Sequence, residues 1–375
     1  MSAFRSRCLG VAWAGAMLLA GCGGGGGYSG TSSPPASAST ASAYAASYLV
    51  SDISGTMFRG AHTDPHLIDA WGVAFNPQAF VWVTDNGTSE STLYDGDGVP
   101  QSLVVAIPPG SAGSAKPTGI IFSNRPSSFK IAQTGVAAAP SIFLFVGQAG
   151  TLSGWSPTVN ATNAVTVVDR GASGAVYAGL TMANRGGSDF LYATDFHHAS
   201  VDVFDANFAN ASVAGAFVDA DLPAGYAPYG IQAIGDLIYV AYARQDAAAR
   251  DAVTGAGAGA VDAFDTAGHL VRRLIPPGGA LDAPWGIALA PANFGSLSNA
   301  LLVANSGDGK VNAFDPTTGA FVASLSAADG SPIVIDGLHG IAFGNDRNNQ
   351  PSNTLFFAAG PGGGIHGAYG RIDNR

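Results

Sequence analysis

Thiols are almost missing from this chain. Its two cysteines, Cys8 and Cys22, both fall within the first 22 of 375 residues. Neither a disulfide framework nor a cysteine-built metal site can organise the remainder. Glutamate is nearly absent as well, Glu90 being the single Glu among 26 acidic residues. Aspartate suits turns and caps where glutamate suits helix interiors, so this bias disfavours a helix-rich fold. Charge of either sign is scarce, at 11% of residues, against about 25% in an ordinary domain. Lysine and arginine together number 16, and the formal charge is −10. Phosphate contacts need clustered basic residues, so this composition argues against a nucleic-acid partner. After Ala20 no apolar run is long enough to cross a bilayer as a helix. GxSxG, P-loop and CxxC elements are absent too, which leaves the common nucleophile and nucleotide machineries without support.

What the chain does have is glycine, 52 residues of it, and a sentence that repeats. Ala70 to Gly98 reads as a strand opened by Gly72, a turn at Asn76-Pro77, a second strand, an Asp-Asn-Gly turn, and a third strand closing on Tyr94. The opening glycine recurs at Gly119, Gly179, Gly230, Gly286 and Gly340, at spacings of 47, 60, 51, 56 and 54 residues. Each is followed by an apolar second strand and by a third that closes on an aromatic: Trp155, Phe204, Phe264, Phe314 and Tyr369. Internal repeats of this length signal a propeller or solenoid. Six of them, each a small sheet, predict an all-β, six-bladed β-propeller with a central channel. The last repeat ends soon after its third strand, while an orphan strand, Tyr48 to Ile53, precedes the first. Pairing these two supplies the missing fourth strand and closes the ring, which protects edges that would otherwise invite aggregation. The predicted domain therefore runs over 48–375. Its closing aromatics are expected as packing between blades.

Arg5 and Arg7 followed by the apolar Leu9 to Ala20 and then Leu19-Ala20-Gly21-Cys22 resemble a bacterial lipoprotein signal peptide over 1–21. That resemblance implies lipidation at Cys22, the membrane as a partner through that lipid anchor, and a place in the bacterial cell envelope, on the outer membrane. Residues 22–47, rich in Gly, Ser, Ala and Thr, read as a flexible linker.

The repeat pattern is similar to six-bladed propellers of the NHL and gluconolactonase-like type. More closely, Thr63-Asp64-Pro65-His66-Leu67 through Trp71-Gly72, followed by Thr84-Asp85-Asn86-Gly87, resembles a family of uncharacterised exported bacterial proteins with a TDPxLxxxWG segment. That family carries no established activity.

Strand alternation in such a ring places the start of each innermost strand and the end of each second strand at one channel mouth. The candidate ligand-binding residues there are Trp71, Asp85, Asn86, Asp195, His197, Tyr229, Arg244, Trp285, Asn305 and His339. Asp85, Asp195, His62, His66 and His339 are the candidate ligands of a divalent cation, since imidazole and carboxylate suit such ions; cap and turn roles are the more ordinary reading of the same residues. Resemblance to gluconolactonase-like propellers likewise implies a cation held by mouth carboxylates. Two functions follow. One is a binding platform for a small-molecule or protein ligand at the channel mouth; the alternative is a metal-dependent hydrolase of lactonase type.

Overall fold

Six short sheets account for nearly all regular structure in the computed structural model, which describes residues 43–54 and 60–375. Blade 1 comprises Ala70–Phe75, Val81–Asp85, Glu90–Tyr94 and Val105–Ala106, antiparallel from the innermost strand outward. The other inner strands are Pro117–Phe122, Tyr177–Arg185, Tyr226–Ile234, Pro284–Leu289 and Leu338–Phe343. Each forms the inner edge of its own sheet. Each also packs against the next inner strand round the ring, and the sixth packs against the first. The fold is an all-β, six-bladed β-propeller, as the repeats require; the short turn Pro361–Gly364 runs through glycines in left-handed backbone.

The ring is zipped shut by its two ends. Tyr44–Ser51 pairs antiparallel with Ala368–Asn374 and becomes the outer strand of blade 6. This strand begins at Tyr44, earlier than the predicted Tyr48. The reason is aromatic anchoring. The Tyr44 ring lies 4.9 Å from that of Phe294, and its hydroxyl donates to the Phe294 carbonyl at 2.8 Å. The signal-peptide reading and Cys22 lie outside the described residues.

Apolar side chains on strands covered on both faces gather into interblade layers. Between blades 1 and 2, for example, Trp82 stacks on Phe143 at 4.2 Å and meets Trp155 at 4.8 Å. The closing aromatics behave as predicted. Tyr94, Trp155, Phe204, Phe264, Phe314 and Tyr369 are all buried in such layers.

The opening glycines explain how the inner strands come so close. A Cβ on Gly72 would lie 2.5 Å from the Thr118 carbonyl oxygen; on Gly230, 1.9 Å from that of Trp285; on Gly286, 2.5 Å from that of His339; on Gly340, 2.3 Å from that of Trp71. The residue touched is in each case the neighbour of the next blade's glycine. Two threonines stitch the same seam. The Gly72 N–H donates to Thr84 Oγ1 at 2.7 Å, and the Thr84 hydroxyl donates to the Thr118 carbonyl at 2.8 Å. Thr194 repeats this between Gly179 and Tyr229, at 2.7 and 2.9 Å.

Gly230→Ala is therefore expected to lower stability by about 3 kcal/mol, because neither backbone can retreat. Gly279, where an added Cβ meets nothing within 4 Å, serves as the control, and Gly279→Ala should change stability by less than about 0.5 kcal/mol. Urea denaturation of both variants checks this; equal midpoints would contradict it.

Candidate functional site

The inner strands begin at one mouth of the channel, and in four blades the residue before the opening glycine carries a ring that meets the others there. In three blades that residue is aromatic: Trp71, Tyr229 and Trp285; in blade 6 it is His339. The four rings close the axis. His339 stacks on Trp71 at 3.9 Å and 13°, while Tyr229 and Trp285 meet Trp71 edge-on at 6.0 and 5.7 Å. The Trp285 indole N–H donates to the Ala178 carbonyl at 3.1 Å. Edge-to-face packing of this kind adds rigidity beyond area burial. These rings form the floor of the mouth, with their faces and edges largely spent on one another.

His339 Nδ1 sits 3.2 Å from the Ala70 carbonyl oxygen. A carbonyl only accepts, so Nδ1 carries the proton and donates, leaving Nε2 as an acceptor. Burial pulls the imidazole down to about 4, so the ring is neutral at pH 7.

Above this floor lies a cavity of about 310 Å³ whose walls include Asp69, Trp71, Asn86, Lys116, Gln148, Asp251, Ser306 and His339. Two of its charges occupy an unusual place. Asp69 and Lys116 each stand three residues before the opening glycine of their blade, with φ of +52° and +46°. The same left-handed corner in blades 5 and 6 is held by Ala283 and Gly337, at +46° and +65°. Left-handed backbone costs a non-glycine residue about 1 kcal/mol or more. Blade 6 uses glycine for this corner, whereas blades 1 and 2 put charges of opposite sign there, side by side on the rim.

Asp69 is further cradled by the Gly360–Gly364 turn. A Cβ on Gly360 would fall 2.1 Å from its Oδ1, and one on Gly364 about 3.0 Å from its carboxyl carbon. Burial raises its carboxyl to about 6; the neighbouring Trp71 side chain and the Lys116 ammonium oppose that shift. The Trp71 indole N–H finds no partner at ordinary hydrogen-bond length. Asn86 bridges blades 1 and 2, donating to the Lys116 carbonyl at 3.1 Å and to Gln148 Oε1 at 3.4 Å.

The expected site residues thus divide. Trp71, Asn86 and His339 line the cavity, with Tyr229 and Trp285 beneath them in the floor. Asp85, Asp195 and Asn305 are buried, because strand alternation turns the last residue of each second strand sideways between blades. Asp195 accepts from the Val176 N–H at 3.1 Å and holds His198 Nδ1 at 2.7 Å. Asn305 donates to the Ala280 carbonyl and to Asp308, at 2.9 and 3.0 Å. Neither carboxylate oxygen of Asp85 has a partner at ordinary hydrogen-bond geometry, and burial, opposed by the nearby Thr92, pushes this acid well above the usual carboxylate range. His197 contacts the Ala249 carbonyl at 3.3 Å, and Arg244 is exposed near the end of the blade 4 second strand, Leu237–Gln245. His66 pairs with Glu90 at 2.8 Å on the surface, and His62 lies in a short parallel strand beside Val50. Asp85, Asp195, His62, His66 and His339 are therefore not one donor set. Among the described residues no three His, Cys, Asp or Glu side chains are placed to hold a metal ion, so a lactonase-type cation does not fit the residues proposed for it.

No family model matches the chain. Among curated proteins it is 34% identical over 332 residues to "Uncharacterized protein R648" of Acanthamoeba polyphaga mimivirus, covering 87% of this chain and 79% of that protein. It is 36% identical over 298 residues to "Uncharacterized protein L690" of the same virus, covering 77% of each. The chain belongs to the family of these mimivirus proteins. These relatives are viral and overturn the expectation of a bacterial cell-envelope, outer-membrane location; none of them is from the exported bacterial family suggested by the TDPxLxxxWG segment. Among solved structures, one described as a streptogramin B lyase superposes with a TM-score of 0.51 at 13% identity, over 91% of this chain and 100% of that one. A Xanthomonas campestris gluconolactonase gives 0.49 at 16% identity, over 83% and 87%. The first of these supports the fold and nothing finer.

A titration follows from Asp69. Its folded carboxyl, at about 6, lies above the ordinary value of 3.8, so between those values the folded chain holds a proton that the unfolded chain has released. Stability contributed by that proton is present at low pH and is lost as pH rises through the window from 3.8 to about 6. Asp69→Asn removes the loss. The stability difference between variant and wild type should grow in favour of the variant across that window and then level off, as read by urea melts at stepped pH. A pH-independent difference would refute the assignment.

Proposed function

We propose that this propeller is a ligand-binding protein whose site is the cavity above the aromatic floor, and that its ligand is a small polar molecule. The observation that carries this reading is that Asp69 and Lys116, charges of opposite sign on adjacent blades, both line one cavity. The size supports a small molecule over a protein segment, since about 310 Å³ falls near the lower end of small-ligand sites, which run from about 300 to 1,000 Å³. The polar lining supports a ligand bearing both donors and acceptors. Lys116 offers a cation, Asp69 and Asp251 offer acceptors, and the Gln148 and Ser306 side chains offer neutral hydrogen bonds. The acidic composition, at −10, supports a partner other than nucleic acid.

The lactonase reading draws only on likeness of fold, and fold does not select a reaction. Its carboxylates, Asp85 and Asp195, are sealed within the sheets. Turnover of a lactone by the purified protein, dependent on added divalent cation and abolished by Asp85→Ala, would reinstate it.

Thermal-shift screening against sugars, sugar acids, amino acids and small amines tests the preferred reading. A true ligand should raise the midpoint of the wild type, and Asp69→Asn or Lys116→Met should weaken its apparent affinity about tenfold or more, the cost of one lost charge-assisted contact. A hit that both variants bind as tightly as the wild type would place its site elsewhere.

A further inference from the structure

The channel has a second end. Past the opening glycines the inner strands run on to the opposite face and enclose a vestibule of about 430 Å³. Each blade contributes a partly exposed apolar side chain to its wall, Phe75, Phe122, Met182, Ile234, Leu289 and Phe343, and Thr181 and Gln232 add uncharged polar groups between them. Five of these stand three residues beyond their glycine, and Ile234 stands four beyond Gly230. Among the described residues no charged side chain lines the vestibule. The inner strands are also the free edges of their sheets, so backbone N–H and C=O groups outside the sheet ladders lie between the apolar side chains, one of them, the Ala233 N–H, donating to Thr181 Oγ1 at 3.0 Å. Toward the middle of the protein the space narrows to about 40 Å³ around Gly72, Gly119, Gly179, Gly286 and Gly340. The vestibule is therefore a blind recess.

We propose that this vestibule is a second binding site, and that it takes an uncharged small molecule with an apolar body and one or two hydrogen-bonding groups. The occupant is read from the walls. A recess closed at its inner end admits a compact molecule and excludes a passing chain. The volume is that of a small-ligand site. Six apolar side chains reward an apolar body, and free strand edges reward N–H, hydroxyl or carbonyl groups on it. A charge entering here would lose its hydration without gaining a counter-ion, which is a severe penalty. Leu289, 42% exposed, forms part of the lip rather than of the packed core. This site lies at the other end of the channel from the polar cavity and does not depend on what binds there.

The test uses the full chain and two dyes with one skeleton, N-phenyl-1-naphthylamine, which is uncharged, and 1-anilinonaphthalene-8-sulfonate, which is an anion. The uncharged dye should bind saturably at one site per chain, and the anion at least about tenfold more weakly. Leu289→Asp should weaken the uncharged dye about tenfold with little change in melting temperature, since the residue is exposed. Ala342→Trp, which fills the wall, should abolish binding. The proposal is overturned if the uncharged dye shows no saturable binding, if the anion binds as tightly, or if a folded Leu289→Asp protein binds the uncharged dye as the wild type does.

Discussion

Six inner strands lean on one another through bare backbone, and that contact governs the rest of the molecule. At four of the six seams a glycine lacks the one carbon that would strike the carbonyl of the next strand, at distances as short as 1.9 Å for Gly230 against Trp285, and at Gly119 that carbon would strike the Leu180 backbone nitrogen at 2.6 Å. The seams are linked in a circle, so none can loosen alone. Thr84 and Thr194 add hydroxyl bridges across two of them, and the interblade layers fill the wedge outside. Closure then falls to Tyr44–Ser51, which completes blade 6 by pairing with the far end of the chain.

The same tightness divides the channel. A waist of about 40 Å³ at the glycines separates the polar cavity of about 310 Å³ from the apolar vestibule of about 430 Å³. One end is floored by Trp71, Tyr229, Trp285 and His339 and rimmed by charge; the other is walled mostly by aliphatic and aromatic side chains, with Thr181 and Gln232 as its polar side chains and no charge. Residues immediately before the glycine serve the first, and residues three or four beyond it serve the second. A period of a few residues along one strand thus separates two chemistries by the thickness of the disc.

Much of this could be read from the sequence, because a repeat states its pattern six times. The glycines, the closing aromatics and the orphan strand each identified their structural partners. The site was less legible. Asp85, Asp195 and Asn305 stand where a mouth residue was expected, yet alternation turns them between blades, and only the register of Ala70 opposite Asp85 reveals this. Asp69 and Lys116 were missed, since φ is invisible in sequence. Aligning the repeats on their glycines would have exposed them: the position that holds Gly337 in blade 6 holds an acid in blade 1 and a base in blade 2. The location inferred from Leu19-Ala20-Gly21-Cys22 was a reading of a short N-terminal signal, and relatives across most of the chain outweigh it.

Closure is the claim on which both sites depend. Its most direct test is the unfolding of a chain that starts at Asp52 and so lacks the Tyr44–Ser51 strand. If the ring is a circle of mutually dependent seams, this chain will lose its cooperative urea transition, and all six blades will lose protection from hydrogen exchange together. A truncated chain that melts cooperatively at the wild-type midpoint would contradict the account.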